Sequence, residues 1–245
     1  MSAVLVIAGA DSSGGAGLTR DVRTLTQLDT RALCVVTAVT AQSDTHLTAV
    51  HVVPAEMVQA QMTAAFATCR VDAIKIGMLA TCATVLAVAA TLPATAPPLV
   101  LDPVLASSSG GELLDDAGRS ALCAALLPCT TLLTPNIPEA ATLLGTRSAR
   151  SEAELLQQAA ALLALGPQAV LLKGGHGDGA EASDLLLVRD APARWLRAPR
   201  IEAARRGTGC ALSAAIAAGL AAGLELAAAC ERAKQHVTRL LQHAD

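Results

Sequence analysis

The short apolar runs of this chain constrain its fold more than any other feature. "AVLVIAG", "ALCVVTAVTA", "DAIKIG", "PLVLD", "TLLT" and "AVLLK" are apolar at consecutive positions, not at alternate ones. A strand with one face in the core alternates, whereas a strand apolar throughout needs cover on both faces. Between the runs lie helix-like segments of roughly ten to fifteen residues. These are "LTRDVRTLTQL", a stretch from Pro54 through "EMVQAQMTAAFA", "TVLAVAAT", and "SEAELLQQAAALLALG", which opens on a Ser151/Glu154 capping box. The alternation predicts an α/β fold, with a mostly parallel sheet between two helical layers. "TAVHVV" reads as a short third strand, and "SDLLLVRD" with "RWLRAP" as an antiparallel edge hairpin. No repeat, linker or charge run divides residues 1–245, so a single domain is expected.

Composition removes several classes of partner. The net charge is −3 with no Lys/Arg cluster, and one Trp, one Phe and no Tyr leave no stacking platform. Nucleic acid is therefore not an expected partner. The seven cysteines form no C-x-x-C pair, which argues against zinc and for reduced thiols in a cytoplasmic protein. Residues 3–10 lack a basic region before them and a cleavage pattern after them. The apolar run 210–224 is shorter than the ~20 residues of a membrane span. A soluble protein without a membrane partner is expected.

Ligands of open parallel sheets bind beyond the carboxyl ends of the strands. The polar residues there are Asp11, Ser12, Ser13, Gly14, Gly15 and Gly17 after the first run and Gln42 after the second. Asp102 follows "PLVL", Asn136 and Glu139 follow "TLLT", and Lys173, Gly174 and Gly175 follow "AVLL". Carboxylates, amides and glycines gathered at one edge suit phosphate and a divalent cation. No G-x-G-x-x-G opens the first helix, Gly15 stands where a P-loop would place its lysine, and no G-x-S-x-G is present. What remains is "GTGC" before the helix "ALSAAIAAGLAAG". Its glycines permit a tight turn, and its N–H groups add to the positive end of the helix. Cys210 sits in that first turn, where the field is expected to lower its pKa below ~8.5 and let it orient or deprotonate an attacking hydroxyl.

With "IAGADSSGGAG", "VTAVTAQ", "KIGML", "LDPVL", "TPNIPEA", "LLKGGH" and "GTGC" in this order, the chain resembles the hydroxymethylpyrimidine/phosphomethylpyrimidine kinases of thiamine biosynthesis nearly end to end. The resemblance implies a ribokinase-like three-layer α/β/α sandwich, ATP and Mg²⁺ as cofactors, and a cytoplasmic homodimer. It implies phosphorylation of 4-amino-5-hydroxymethyl-2-methylpyrimidine and then of the monophosphate. It assigns Gln42, Gly9, Asp21, Met78 and Val104 to the pyrimidine pocket and Asp102 and Glu139 to the metal. Asn136, Lys173, Gly174 and Arg206 fall to the nucleotide, and Gly207, Thr208, Gly209 and Cys210 to the anion hole and catalysis. His176 lies near the nucleotide loop. The chain departs from the family pattern at Arg206, preceded by Arg205, where a histidine is common. It departs again in "LASSSGG", which carries Ser108 where many members have a lysine. A pyridoxal/pyridoxine kinase and a non-catalytic pyrimidine-binding sensor are the alternative readings.

Overall fold

Strand β1 (Ala3–Asp11) sets the frame. Val4, Leu5, Val6, Ile7 and Ala8 are all fully buried. Successive side chains point to opposite faces, so Leu5 and Ile7 join one core cluster while Val4, Val6 and Ala8 join another. Each such Val, Leu or Ile contributes about 1.5–3 kcal/mol by leaving water. A strand with this pattern folds only between two helical layers.

The protein is described here by a computed structural model that covers residues 1–107, 111–174, 181–201 and 206–242. Ser108, His176 and Arg205 lie outside those residues. After β1 come α1 (Gly17–Gln27), β2 (Arg31–Gln42), β3 (Leu47–Val52), α2 (Ala55–Thr68), β4 (Ala73–Ile76), α3 (Cys82–Thr91) and β5 (Leu99–Leu101). The chain continues through α4 (Asp116–Ala121), β6 (Leu132–Leu133), α5 (Ile137–Leu144), α6 (Glu152–Ala164), β7 (Ala169–Leu172), β8 (Glu181–Val188) and β9 (Arg194–Pro199). Helices α7 (Thr208–Ala221) and α8 (Leu226–Gln242) complete it.

One sheet has the order β3-β2-β1-β4-β5-β6-β7-β8-β9. From β2 to β7 every neighbouring pair is parallel, while β3, β8 and β9 join antiparallel at the two ends. The hairpin expected from "SDLLLVRD" and "RWLRAP" is β8 and β9, with Asp184 opposite Leu196. The first core cluster packs Val58, Met62, Val85 and Leu162 from α2, α3 and α6 on one face. The second packs Leu25, Ile216 and Cys230 from α1, α7 and α8 on the other. Helix α7 is apolar on every side because it lies within that layer, and Ala211 through Ala218 are buried.

Two expectations need correction. The Ser151/Glu154 box is only half formed: Ser151 accepts the Glu154 N–H, but the Glu154 carboxylate takes the N–H of Arg150 instead of that of Ser151. The full reciprocal box is at Asn136 and Glu139, at the start of α5. Helix α4, with the π and 3₁₀ turns that extend it to Cys129, occupies a stretch where no helix was expected. Gly118 and Pro128 break its apolar period. The helix starts where the Asp115 side chain accepts the Gly118 N–H.

Candidate active site

Strand β1 pairs with β2 on one side and β4 on the other, so the direction of winding reverses at β1. The crevice outside the carboxyl ends of strands at such a reversal is the usual ligand position. A cavity of ≈ 1310 Å³ lies there, lined from the tips of β1, β2, β4, β5, β6 and β7 and by the first turn of α7. Typical pockets for one small ligand run ~300–1,000 Å³, so this cavity is larger than one small ligand needs.

At one end are Gly9, Gln42, Met78 and Val104. Thr40 donates to Gln42 Oε1 at 3.3 Å, which orients the amide, and Ser12 exchanges hydrogen bonds with the Gln42 backbone. A side chain at Gly9 would meet Met78 Sδ at 2.8 Å, so the glycine keeps this wall flat. Asp21 is placed differently from its expected role. It is fully buried beneath the cavity floor, where its Oδ2 accepts from Lys75 Nζ at 2.7 Å. Burial pushes the Asp21 carboxyl up to about 6, against the pull of Lys75, which leaves the pair charged at neutral pH. Burial works against the Lys75 charge, but Asp21, Cys210 and Asp102 together hold its pKa above the ordinary value. Lys75 is among the residues that line the cavity, and sequence reading did not single it out. Within the apolar run "AIKI" its only signal was a charge where a doubly buried strand should carry none.

At the other end Lys173 Nζ donates to Asp102 Oδ1 at 2.7 Å and lies 4.0 Å from Glu139 Oε2. Thr134 and Ser213 hydroxyls complete the surroundings of Asp102, each at 3.4 Å. Glu139 also accepts the Asn136 N–H, while Asn136 Oδ1 accepts that of Glu139, so both are helix caps as well as cavity residues. Burial pushes Glu139 up to about 7, with Asp102 adding to the rise and Lys173 opposing it. Two hard oxygen donors, with the Asp102 charge helping to raise Glu139, suit a divalent cation. No group of three or more His, Cys, Asp or Glu among the described residues could hold a metal alone. A cation here would depend on phosphate oxygens, as Mg²⁺ sites often do. Gly174 lies outside the cavity lining. Its N–H donates to Asp184 Oδ1 at 3.0 Å, and Asp184 in turn accepts from Lys234 at 2.6 Å.

Between the two ends Gly207, Thr208, Gly209 and Cys210 face the cavity. Gly207 caps α7 at φ 74°, and a Cβ there would lie 2.3 Å from the Gly15 carbonyl oxygen. Only glycine lets the helix start reach the β1–α1 loop. A Cβ on Gly209 would approach Lys173 Nζ at 3.2 Å, so the turn stands beside the Lys173–Asp102 pair. The expected thiolate at Cys210 is corrected: burial pushes its thiol up to about 11, with Asp21 and Asp102 adding, and outweighs Lys75 and the Gly17 N–H. Arg206, expected at the nucleotide, also lines the cavity. Its guanidinium reaches Ser13, Ser43, Asp11 and Asp44.

A doubly wound sheet, a helix start open to the cavity beyond the strand ends, and buried Lys–Asp pairs beside that cavity are the features of a ribokinase-like kinase. The sequence profile of the family described as phosphomethylpyrimidine kinase matches residues 11–245. The hydroxymethylpyrimidine/phosphomethylpyrimidine kinase of Rhizobium meliloti strain 1021 is 45% identical over 242 residues, covering 98% of this chain and 91% of that one. The crystal structure of phosphomethylpyrimidine kinase from Clostridium difficile 630 superposes with a TM-score of 0.86 at 34% identity, covering 98% of this chain and 100% of that one. An ADP complex of Bacillus subtilis pyridoxal kinase gives a TM-score of 0.89 at 31% identity, over 97% and 91%. The chain belongs to the phosphomethylpyrimidine kinase family.

Proposed function

We propose that the protein transfers the γ-phosphoryl group of ATP to 4-amino-5-hydroxymethyl-2-methylpyrimidine and then to the resulting monophosphate. The observation that carries this is the position of α7. Its first turn lines one cavity together with Gln42 and Met78, which suit an aminopyrimidine, and with Lys173, Asp102 and Glu139, which suit a nucleotide. Gln42 offers a donor and an acceptor to the pyrimidine edge, and Gly9 and Met78 accept its flat face. Thr208, Gly209 and Cys210 contribute N–H groups where charge spreads over the moving phosphoryl oxygens. Lys173 sits beside that turn as a fixed cation. Asp102 and Glu139 would hold Mg²⁺, which when bound neutralises phosphate charge.

Cys210, neutral at pH 7, orients the substrate hydroxyl and does not remove its proton early. A loose phosphoryl-transfer transition state leaves little charge on the attacking oxygen, so a strong base is not required. The test is mass spectrometry of products after incubation with MgATP and, in parallel, hydroxymethylpyrimidine, its monophosphate and pyridoxine. Hydroxymethylpyrimidine should gain one and then a second phosphoryl group, and its monophosphate should gain one. Phosphorylation of pyridoxine alone would favour the pyridoxal kinase reading, which the likeness to the Bacillus subtilis enzyme supports. Absence of ATP consumption with all three would favour a sensor.

A further inference from the structure

Arg206 stands one residue before the α7 cap, yet its side chain points across the pyrimidine end of the cavity. Nη1 donates to Ser13 Oγ at 3.0 Å and to the Ser43 carbonyl at 2.8 Å. Nη2 lies 3.3 Å from Asp11 Oδ2, and Nη1 lies 3.6 Å from Asp44 Oδ1. Ser43 and Asp44 follow directly on Gln42, while Asp11 ends β1 and Ser13 lies in the loop that follows. One guanidinium therefore ties the helix start to both loops that frame the pyrimidine.

Other cations around the cavity are held at short range by a carboxylate or a carbonyl. Lys75 is fully buried on Asp21 at 2.7 Å. Lys173 holds Asp102 at 2.7 Å. Buried Arg20 donates to the Gly15 carbonyl and braces the loop under Arg206. The partners of Arg206 are of a different kind: a hydroxyl, a carbonyl, one carboxylate already engaged by Ser13 and Ala16, and an exposed carboxylate on Asp44. Exposed pairs such as Arg206–Asp44 contribute little. A phosphate, by contrast, matches the guanidinium fork and makes charge-assisted bonds roughly twice as strong as neutral ones.

The two substrates differ in the group they would present at the start of α7, beside which Arg206 stands. The alcohol brings a neutral CH₂OH. The monophosphate brings about −1.5 to −2 charges at pH 7. We propose that Arg206 is a specificity residue for the second phosphorylation, exchanging its Ser43 and Asp44 contacts for the phosphate of the monophosphate substrate. This rests on the two-step kinase reading above. Its role is to select the anionic substrate and to offset the repulsion between that phosphate and the incoming one.

The test compares kcat/KM for the alcohol and the monophosphate in the full chain and in Arg206→Ala, Arg206→Lys and Asp44→Asn. Calorimetric binding of the monophosphate without nucleotide runs alongside. Arg206→Ala should lower monophosphate kcat/KM roughly ten- to a hundredfold more than alcohol kcat/KM. It should also weaken monophosphate binding and flatten its dependence on salt. Arg206→Lys should restore part of the loss, since a point charge replaces a fork. Asp44→Asn, which removes a competitor and leaves the arginine, should tighten monophosphate binding. Equal losses on both substrates, or unchanged monophosphate binding in Arg206→Ala, would overturn the proposal while leaving the kinase reading intact. A wild-type chain that phosphorylates neither pyrimidine would instead overturn the kinase reading, and the binding arm would then decide the role of Arg206.

Discussion

Cys210 lies at the positive end of a helix, which on its own should favour a thiolate. The surrounding charges decide otherwise. Lys75 and the Gly17 N–H favour ionisation, but burial and the carboxylates of Asp21 and Asp102 oppose it and push the thiol up to about 11. A raised folded pKa keeps the proton on sulfur throughout the neutral range. Alkylation of Cys210, followed by peptide mapping, should therefore be slow at pH 7 and rise about tenfold per pH unit toward pH 11. A plateau near pH 8 would show that the helix field prevails. Since a neutral thiol positions and does not deprotonate, Cys210→Ala should cost kcat on the order of tenfold to a hundredfold. That is less than the ~10²–10⁴ of a full general base, and KM for the pyrimidine should change little. Gly207 makes a stricter demand. At φ 74°, with the Gly15 carbonyl oxygen 2.3 Å from where a Cβ would stand, Gly207→Ala should lose about 2 kcal/mol or more in urea unfolding. A near-neutral result would mean that the β1–α1 loop can withdraw.

Among the elements, β4 joins stability to the site. Lys75 is the charged residue in this four-residue strand, and it meets Asp21 of α1 beneath the first turn of α7. Asp21 Oδ1 has no hydrogen-bond partner among the described residues. Buried ion pairs often add little net stability compared with apolar groups of similar volume, but removing one partner costs about 3–5 kcal/mol. Lys75→Met alone should therefore be strongly destabilised, whereas the Lys75→Met/Asp21→Leu double variant should recover most of the loss while its turnover stays low. A double variant as unstable as the single one would mean that the pair is needed for packing. The strands were legible because doubly buried runs have an unambiguous pattern. Lys75 was hidden by the same logic, since its partner lies 54 residues away on another element. Asn136 and Glu139 stood out by their place after a strand, the family resemblance implied their ligand roles, and the structure adds that they cap α5. The direction of Arg206 was beyond sequence, because a six-residue motif does not say which rim its side chain will cross to.

For the molecule as a whole, the site is built from contacts that span nearly the full chain. Arg206 meets Ser13 across 193 residues, Ser213 meets Asp102 across 111, and Lys173 meets Asp102 across 71. The cavity walls are thus the ends of the same strands and the same central helix that hold the two cores together. A ligand seated there contacts groups that separate only when both helical layers leave the sheet, so it stabilises global folding and not one loop. A ligand present at a hundred times its Kd adds about 2.7 kcal/mol to a state that binds it alone. At this chain length each kcal/mol moves Tm by roughly 2–4 °C, so ADP or the pyrimidine should each raise Tm by about 5–10 °C at that excess. Both together should raise it further, in a single transition followed alike by far-ultraviolet and near-ultraviolet circular dichroism. If the ligand instead split the melt into two steps, the layer carrying α1, α7 and α8 would be unfolding separately from the layer carrying α2, α3 and α6. The cavity would then belong to one layer, and the buried Lys75–Asp21 pair, which lies entirely on the α1 and α7 side, would melt with it.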